Sequence, residues 1–367
     1  MRILICGAGM AGLSAGITLG NTGHDVTIVE RAQHLRVNGS PIDIRGDSLA
    51  VARRMGILGD IAALSVDMTQ RGCFVDGNGD TVADLPLDEI NDTPDDVEIP
   101  RQDLAHVLRG ALGPSVRLTF SESVADLHDD GHGVDVVFAS GTRDRYDLVV
   151  GADGLHSATR RMVFGPERTY VRHLGFYTAL ANLPDYQSTG APNPIYNYPR
   201  HMAGIVTYRD VALAVLSFRS PWIDYDYQDL DAQKRILIDE FGSHDRWRVP
   251  ELLDAACHDP DLYFDSVSQV DMPSWHRGRV VLVGDAAHCA SPLSGRGTSL
   301  ALTGTWLLAT ALAEPGNDLD AAFAQYEHEQ RPHVTYAQGT VGAGGDLLMP
   351  VTQEAIEARN LKLAHTG

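Results

Sequence analysis

Glycines and carboxylates at the ends of apolar runs are the residues here whose spacing could hold a phosphate and a sugar. Gly7-x-Gly9-x-x-Gly12 lies between an apolar run, Ile3–Cys6, and a helical run, Ala11–Leu19. Gly7 permits a tight turn, Gly9 lets the backbone approach a pyrophosphate, and Gly12 lets helix and strand pack closely beside Ala11. The helix N-terminus adds N–H groups and partial positive charge. Glu30 closes the next strand, Val26–Val29, 18 residues after Gly12. A carboxylate there can accept both hydroxyls of a ribose. The pattern predicts a bound dinucleotide and does not choose between NAD and FAD.

Two distant segments make that choice. One is a buried strand running into Asp153-Gly154-x-x-Ser157-x-x-Arg160. The other is Arg279–Val283 followed by Gly284-Asp285-Ala-Ala-His288 and then Ser291-Pro292-x-x-Gly295-x-Gly297-Thr298. With Glu30-Arg31, Ile99-Pro-Arg101-x-x-Leu104 and Tyr326-Glu327-x-x-x-Arg331-Pro332, the set resembles the FAD-dependent aromatic hydroxylases. These are the class A flavoprotein monooxygenases of the para-hydroxybenzoate hydroxylase type. The resemblance runs from residue 1 to about residue 335, and the small tetracycline-inactivating monooxygenases look nearest.

The resemblance implies FAD, a hydride from NADPH (or NADH), and O2 as co-substrate. One oxygen atom would pass to an aromatic or polycyclic small molecule, an antibiotic or a biosynthetic intermediate, by hydroxylation or Baeyer–Villiger insertion. It implies cofactor contacts at Gly7, Gly9, Ala11, Gly12, Glu30, Arg31, Arg36, Asp43, Arg45, Arg101, Val124, Asp153, Asp285, Pro292, Gly295, Gly297 and Thr298. Among these, Arg36 falls near the nicotinamide donor and Asp43 near the flavin. No side chain is assigned as catalytic base, because the cofactor carries the chemistry. Two positions depart from the family: Ser299 stands where Asn is common, and Gly304 where Asp is common. Other readings of the same motifs are a flavin-dependent halogenase, a prenyl reductase, and a non-catalytic protein binding flavin or an antibiotic. Trp222, Trp247, Trp275 and Trp306 form no W-x-W pair of the halogenase kind.

These motifs need an α/β frame: a Rossmann-like FAD-binding domain, a second mixed β-sheet substrate domain, and a C-terminal helical segment. The expected division is 1–70, 98–170 and 265–318 for FAD, 71–97 with 171–264 for substrate, and 319–367 for the helices. Hairpin turns are predicted at Gly77-Asn78-Gly79 and at Ser140-Gly141, the latter between Val134–Phe138 and Tyr146–Val150. Helices are predicted over Asp229–Phe241, Val249–Cys257, Gly297–Leu312 and Asp320–Arg331, the last stopped by Pro332. Aromatic-rich strands between Phe176 and Phe218 supply Tyr177, Tyr196, Tyr198, His201 and Phe218 as candidate substrate contacts.

The 367 residues suggest about two domains at ~150 residues each. The net charge of −20, with only Lys234 and Lys362 as lysines, disfavours nucleic-acid and anionic-membrane partners. Cys6, Cys73, Cys257 and Cys289 form no C-x-x-C pair, a pattern of the reducing cytoplasm. The apolar run at the N-terminus stops at Gly7, too short for a signal peptide. The 17-residue stretch Gly297–Ala313 carries four threonines and a serine, which suits a buried helix over a membrane span. The chain ends at Gly367 without the thioredoxin-like tail of the phenol-hydroxylase branch. A monomer or homodimer is expected.

Three motifs are decoys. Gly12-x-Ser14-x-Gly16 places its serine inside a helix, not on a nucleophile elbow. His328-Glu329-Gln330-Arg331-Pro332-His333 is one residue too long for a zinc motif. Asp76-x-Asn78-x-Asp80 lacks the later glycine and glutamate of a calcium loop. No metal is expected.

Overall fold

A computed structural model describes residues 1–35, 39–66, 72–85, 95–188, 190, 192–316, 318–341 and 344–364. Its first layer is a six-stranded sheet in the order 276–277, 280–282, 148–151, 2–6, 25–30, 116–120. The last five pair in parallel, and the first is antiparallel to its neighbour. Strands buried on both faces must be apolar throughout, as in Ile3-Leu4-Ile5 and Leu148-Val149-Val150. Ile3, Ile5, Leu148 and Val150 pack toward the helices Met10–Asn21 and Gly297–Ala313. Leu4, Cys6 and Val149 pack toward an antiparallel sheet of Val124–Asp129, Val134–Phe138 and Arg143–Tyr146. The predicted run Tyr146–Val150 therefore divides at Asp147. Its first residue ends a hairpin, while Leu148–Gly151 enters the parallel sheet. Asp147 makes the step by accepting the Arg2 amide at 2.7 Å.

A second, mixed sheet of seven strands runs 263–270, 171–182, 211–219, 201–208, 193–198, 72–75, 81–84. It thus extends past residue 264. The helices Leu230–Phe241 and Val249–His258 cover its back face. The chain closes with Leu319–Gly339, Gly344–Leu348 and Gln353–Ala364. The predicted stop at Pro332 does not occur; the helix runs seven residues further, to Gly339. Proline inside a helix costs ~3 kcal/mol. Tertiary contacts offset it: Val334 and Ala337 are buried, and Gln338 donates to the carbonyls of Val270 at 2.9 Å and Cys289 at 3.1 Å.

Candidate functional site

The carboxyl ends of four parallel strands meet at one edge of the first sheet, and each carries a predicted site segment. Gly7 follows Arg2–Cys6, Glu30 ends Asp25–Glu30, Asp153 follows Leu148–Gly151, and Asp285 follows Val280–Leu282. Backbone bonds lock these ends together: Gly7 N to Val29 O at 2.8 Å, Ala152 N to Cys6 O at 2.9 Å, and Val283 N to Gly151 O at 2.9 Å. Gly12 is required by contact, since a Cβ there would lie 1.9 Å from the Gly7 carbonyl oxygen. Gly284 adopts φ +59°, and a Cβ on it would stand 2.7 Å from the Ala11 methyl. Ala11 thus acts as packing for the Asp285 turn.

Beside the Gly7, Glu30 and Asp153 ends lies an open cleft of about 290 Å3, lined by Gly7, Gly9, Glu30, Arg31, Val124, Asp153, His156, Arg161 and Tyr227 among others. The space beside Gly9 is open, with no atom within 4 Å of a Cβ placed there. Glu30 accepts the amides of Ala8 at 2.8 Å and Ala32 at 2.9 Å, one on each oxygen. Each oxygen keeps a second lone pair for a hydroxyl. Asp153 is more committed. One oxygen takes the Ser157 hydroxyl at 2.5 Å, the other the Thr159 amide and hydroxyl at 2.9 and 3.0 Å. Its side chain fixes the turn that forms the wall. Arg160, fully buried, donates to the carbonyls of Leu155 and Ala286 and so clamps that turn to the Asp285 segment.

The second half of the site surrounds Asp285. This carboxylate is reachable by water yet ringed by protein; desolvation raises its pKa, and the nearby Arg101 charge opposes that rise. Gly297, first residue of the Gly297–Ala313 helix, lies against it, with 4.0 Å between an added Cβ and the Asp285 Oδ1. Among the described residues no side chain caps that helix start, and Thr298 is buried in its first turn. Pro292 opens the short turn Pro292–Ser294 ahead of it. Gly295 faces a pair from a small sheet of Ile42–Ile44 and Val97–Ile99: Asp43 and Arg45 bridge at 2.6 Å, both within 3.4 Å of a Cβ on Gly295. Desolvation raises the Asp43 pKa, with Arg45 working against it. Glu98, directly across the strand pair from Asp43, is pushed up to about 8 by desolvation and then by the Asp43 charge. Arg36 lies outside the described residues.

Other motif residues are structural supports. His288 is buried against Trp275, and burial pushes its pKa down to about 3, so it stays neutral. Glu327 accepts the Trp275 amide at 2.5 Å and pairs with Arg331 at 2.8 Å. Ser14 is fully buried, its hydroxyl 2.5 Å from that of Thr305. Asp76 spends its carboxylate on the amides of Asn78 and Asp80 in the hairpin turn. Among the cleft residues that escaped the motif reading are His156, Arg161 and Tyr227. His156 and Arg161 sit in or beside the variable places of the Asp153–Arg160 motif, and Tyr227 comes from a loop far along the chain that carries no motif.

The five candidate substrate residues lie together on the helix-covered back face of the second sheet. In the register of the second sheet, Tyr177 pairs with Phe218, Phe218 with His201, and His201 with Tyr198. Tyr177, Phe218 and Tyr196 are buried with Phe241 and Leu252 of the covering helices, with Tyr198 packed against them. His201 meets the Phe241 ring edge-on. The opposite, front face presents Phe176, Met202, Val215 and Val267, and these contact Leu293 of the Pro292–Ser294 turn and Met349. Alternation along a strand is the cause: a choice one residue off moves every side chain to the other face.

The family model described as FAD binding domain matches residues 1–339. A Mycobacterium tuberculosis uncharacterized protein is 39% identical over 363 residues, 97% of this chain and 96% of that one. A flavin-dependent monooxygenase of Legionella longbeachae is 33% identical over 89% of this chain and 84% of its own. The crystal structure of tetracycline destructase Tet(51) superposes with a TM-score of 0.86 at 32% identity, covering 100% of this chain and 96% of that one. The donor set fits FAD at both ends: a diol acceptor and open glycine turn at one, an accessible carboxylate and an uncapped helix start at the other. The chain therefore belongs to the FAD-binding family of aromatic-hydroxylase-type, flavin-dependent monooxygenases.

Proposed function

We propose that this enzyme uses NADPH (or NADH) and O2 to place one oxygen atom on a soluble aromatic or polycyclic compound held against the front face of the second sheet. The observation that carries this reading is the contact between Leu293, in the turn beside Gly295, and the apolar front wall of Phe176, Met202, Val215 and Val267. The chemistry FAD supplies when bound is electron transfer to O2 and delivery of one oxygen atom. Glu30 would hold the ribose and Asp285 the ribityl chain. Gly9 leaves room for the pyrophosphate. The first turn of Gly297–Ala313 would favour negative charge on the ring edge by ~0.3–2 kcal/mol. Arg101 and the Asp43–Arg45 pair set the charge around that edge. The apolar front wall excludes water, and the hydroxyls of Thr178 and Ser217, paired at 2.9 Å, give that wall a polar point. We assign cofactor binding to 1–70, 98–170 and the segment from the Asp285 strand to 318, and substrate to the second sheet, in a cytoplasmic enzyme. The likeness to a tetracycline destructase favours a fused-ring substrate.

Oxygen-dependent NADPH consumption across phenols, anthraquinones, tetracyclines and aliphatic controls tests the reading. Stimulation by a ring compound, with a one-oxygen mass gain in the product, is expected. Purified protein that takes up no FAD would end the flavoenzyme reading. Stimulation confined to aliphatic ketones or isoprenoids would end the aromatic one, and a halogen in the product would favour the halogenase alternative.

A further inference from the structure

We infer that Tyr227, on the loop between the strand Val211–Arg219 and the helix Leu230–Phe241 of the second sheet, covers the adenosine end of FAD. The inference rests on the FAD reading above. Among the described residues that line the cleft, Tyr227 and Gln228 alone come from beyond residue 162. Every other lining residue belongs to the first sheet and its connections.

The loop is held so that one tyrosine goes into the core and the next faces the cleft. Tyr225 packs edge-on against Tyr177 and Phe264 on the back face of the second sheet. Two residues on, Tyr227 is half-buried and stacks flat on His156, with ring centroids 4.1 Å apart and planes 7° from parallel. The Arg31 guanidinium lies 6.0 Å from the same ring. Arg161 donates to the Tyr227 hydroxyl at 3.2 Å. His156 is itself fixed from both sides, by Glu167 at 2.9 Å and Asp265 at 3.0 Å. A π-surface oriented by a stack, a cation and a phenol hydrogen bond thus lines the same cleft as Glu30. A purine on a ribose held by Glu30 would find Arg31, Val124, Met162 and Tyr227 among the residues that line the same cleft. An aromatic side chain and a guanidinium are the partners a planar base selects. Since Asp265 lies on a strand of the second sheet, the same contacts tie adenosine binding to the substrate sheet.

The test strips FAD from the purified protein and titrates FAD, ADP and FMN by flavin fluorescence and calorimetry. Tyr227→Ala is expected to weaken FAD and ADP each about tenfold, within the range for removing an aromatic partner from a base, and to leave FMN unchanged. Tyr227→Phe keeps the ring, loses only the Arg161 contact, and should bind FAD within about threefold of wild type, the scale of one net hydrogen bond. Undiminished ADP and FAD binding by Tyr227→Ala overturns the inference, as does an equal loss for FMN. Wild-type protein that binds ADP but neither flavin would instead overturn the FAD reading, and the ADP arm would still decide the role of Tyr227.

Discussion

At Ser299, where the family resemblance leads one to expect asparagine, a hydroxyl does a structural task. It accepts the backbone amide of Arg45 at 3.0 Å and bonds the Ser48 hydroxyl at 3.1 Å. That holds the start of the Asp47–Arg54 helix, and with it the Asp43–Arg45 bridge, against the first turn of Gly297–Ala313. Gly304, the second departure, lets two helices touch: a Cβ there would meet the Gln330 amide at 3.2 Å and His288 at 3.6 Å. An aspartate at 304 would crowd that contact, so the glycine and the close helix pair belong together. Ser299→Ala orphans a buried amide and should lower stability by ~1–3 kcal/mol. Chemical denaturation would show it as a lower midpoint with unchanged slope, and an unchanged midpoint would remove Ser299 from this role.

At the scale of elements, the turn after Leu148–Gly151 is fastened to the second sheet by a charged histidine. Burial works against the charge on His156, but its bonds to Asp265 and Glu167 outweigh that and raise its pKa to about 9. Arg160 and Arg161 also face Glu167, and Tyr227 covers the ring. An unfolded histidine titrates near ~6.5. The folded pKa is the higher one, so the stabilisation is fully present below about 6.5 and drains away as pH rises through about 9. The gap in melting temperature between wild type and His156→Asn should therefore be widest near pH 6 and shrink by pH 9.5. A gap constant over that range would mean the histidine acts through packing and neutral hydrogen bonds alone.

Across the whole molecule, what the sequence made readable was backbone-local. A strand, a glycine turn and a helix start are contiguous, so the Gly7, Asp153 and Asp285 segments can be placed at one sheet edge from the sequence alone. The front and back of the second sheet cannot. Side chains there alternate with period two, and the partner that sets the phase lies 41 residues away for Tyr177 and Phe218 and 91 for Phe176 and Val267. Tyr227 was hidden for the same reason, and Pro332 misled because helix packing overrode a local rule. This two-faced sheet yields a paired prediction. Met202 faces the turn that carries Leu293, so Met202→Trp should fill the space proposed above for the substrate. It should raise KM for a ring substrate at least about tenfold, the size of a methylene-scale misfit or more, while FAD binding stays near wild type and overpacking beside Phe176 and Met349 lowers stability by ~1–3 kcal/mol. Tyr198, packed flat against His244 at 3.7 Å on the back face, makes no hydrogen bond through its hydroxyl among the described residues. Tyr198→Phe should leave KM and kcat unchanged, with stability equal or slightly higher because a buried, unpaired hydroxyl is gone. If instead Tyr198→Phe alters KM and Met202→Trp does not, the substrate lies on the helix-covered face and the front wall is only core.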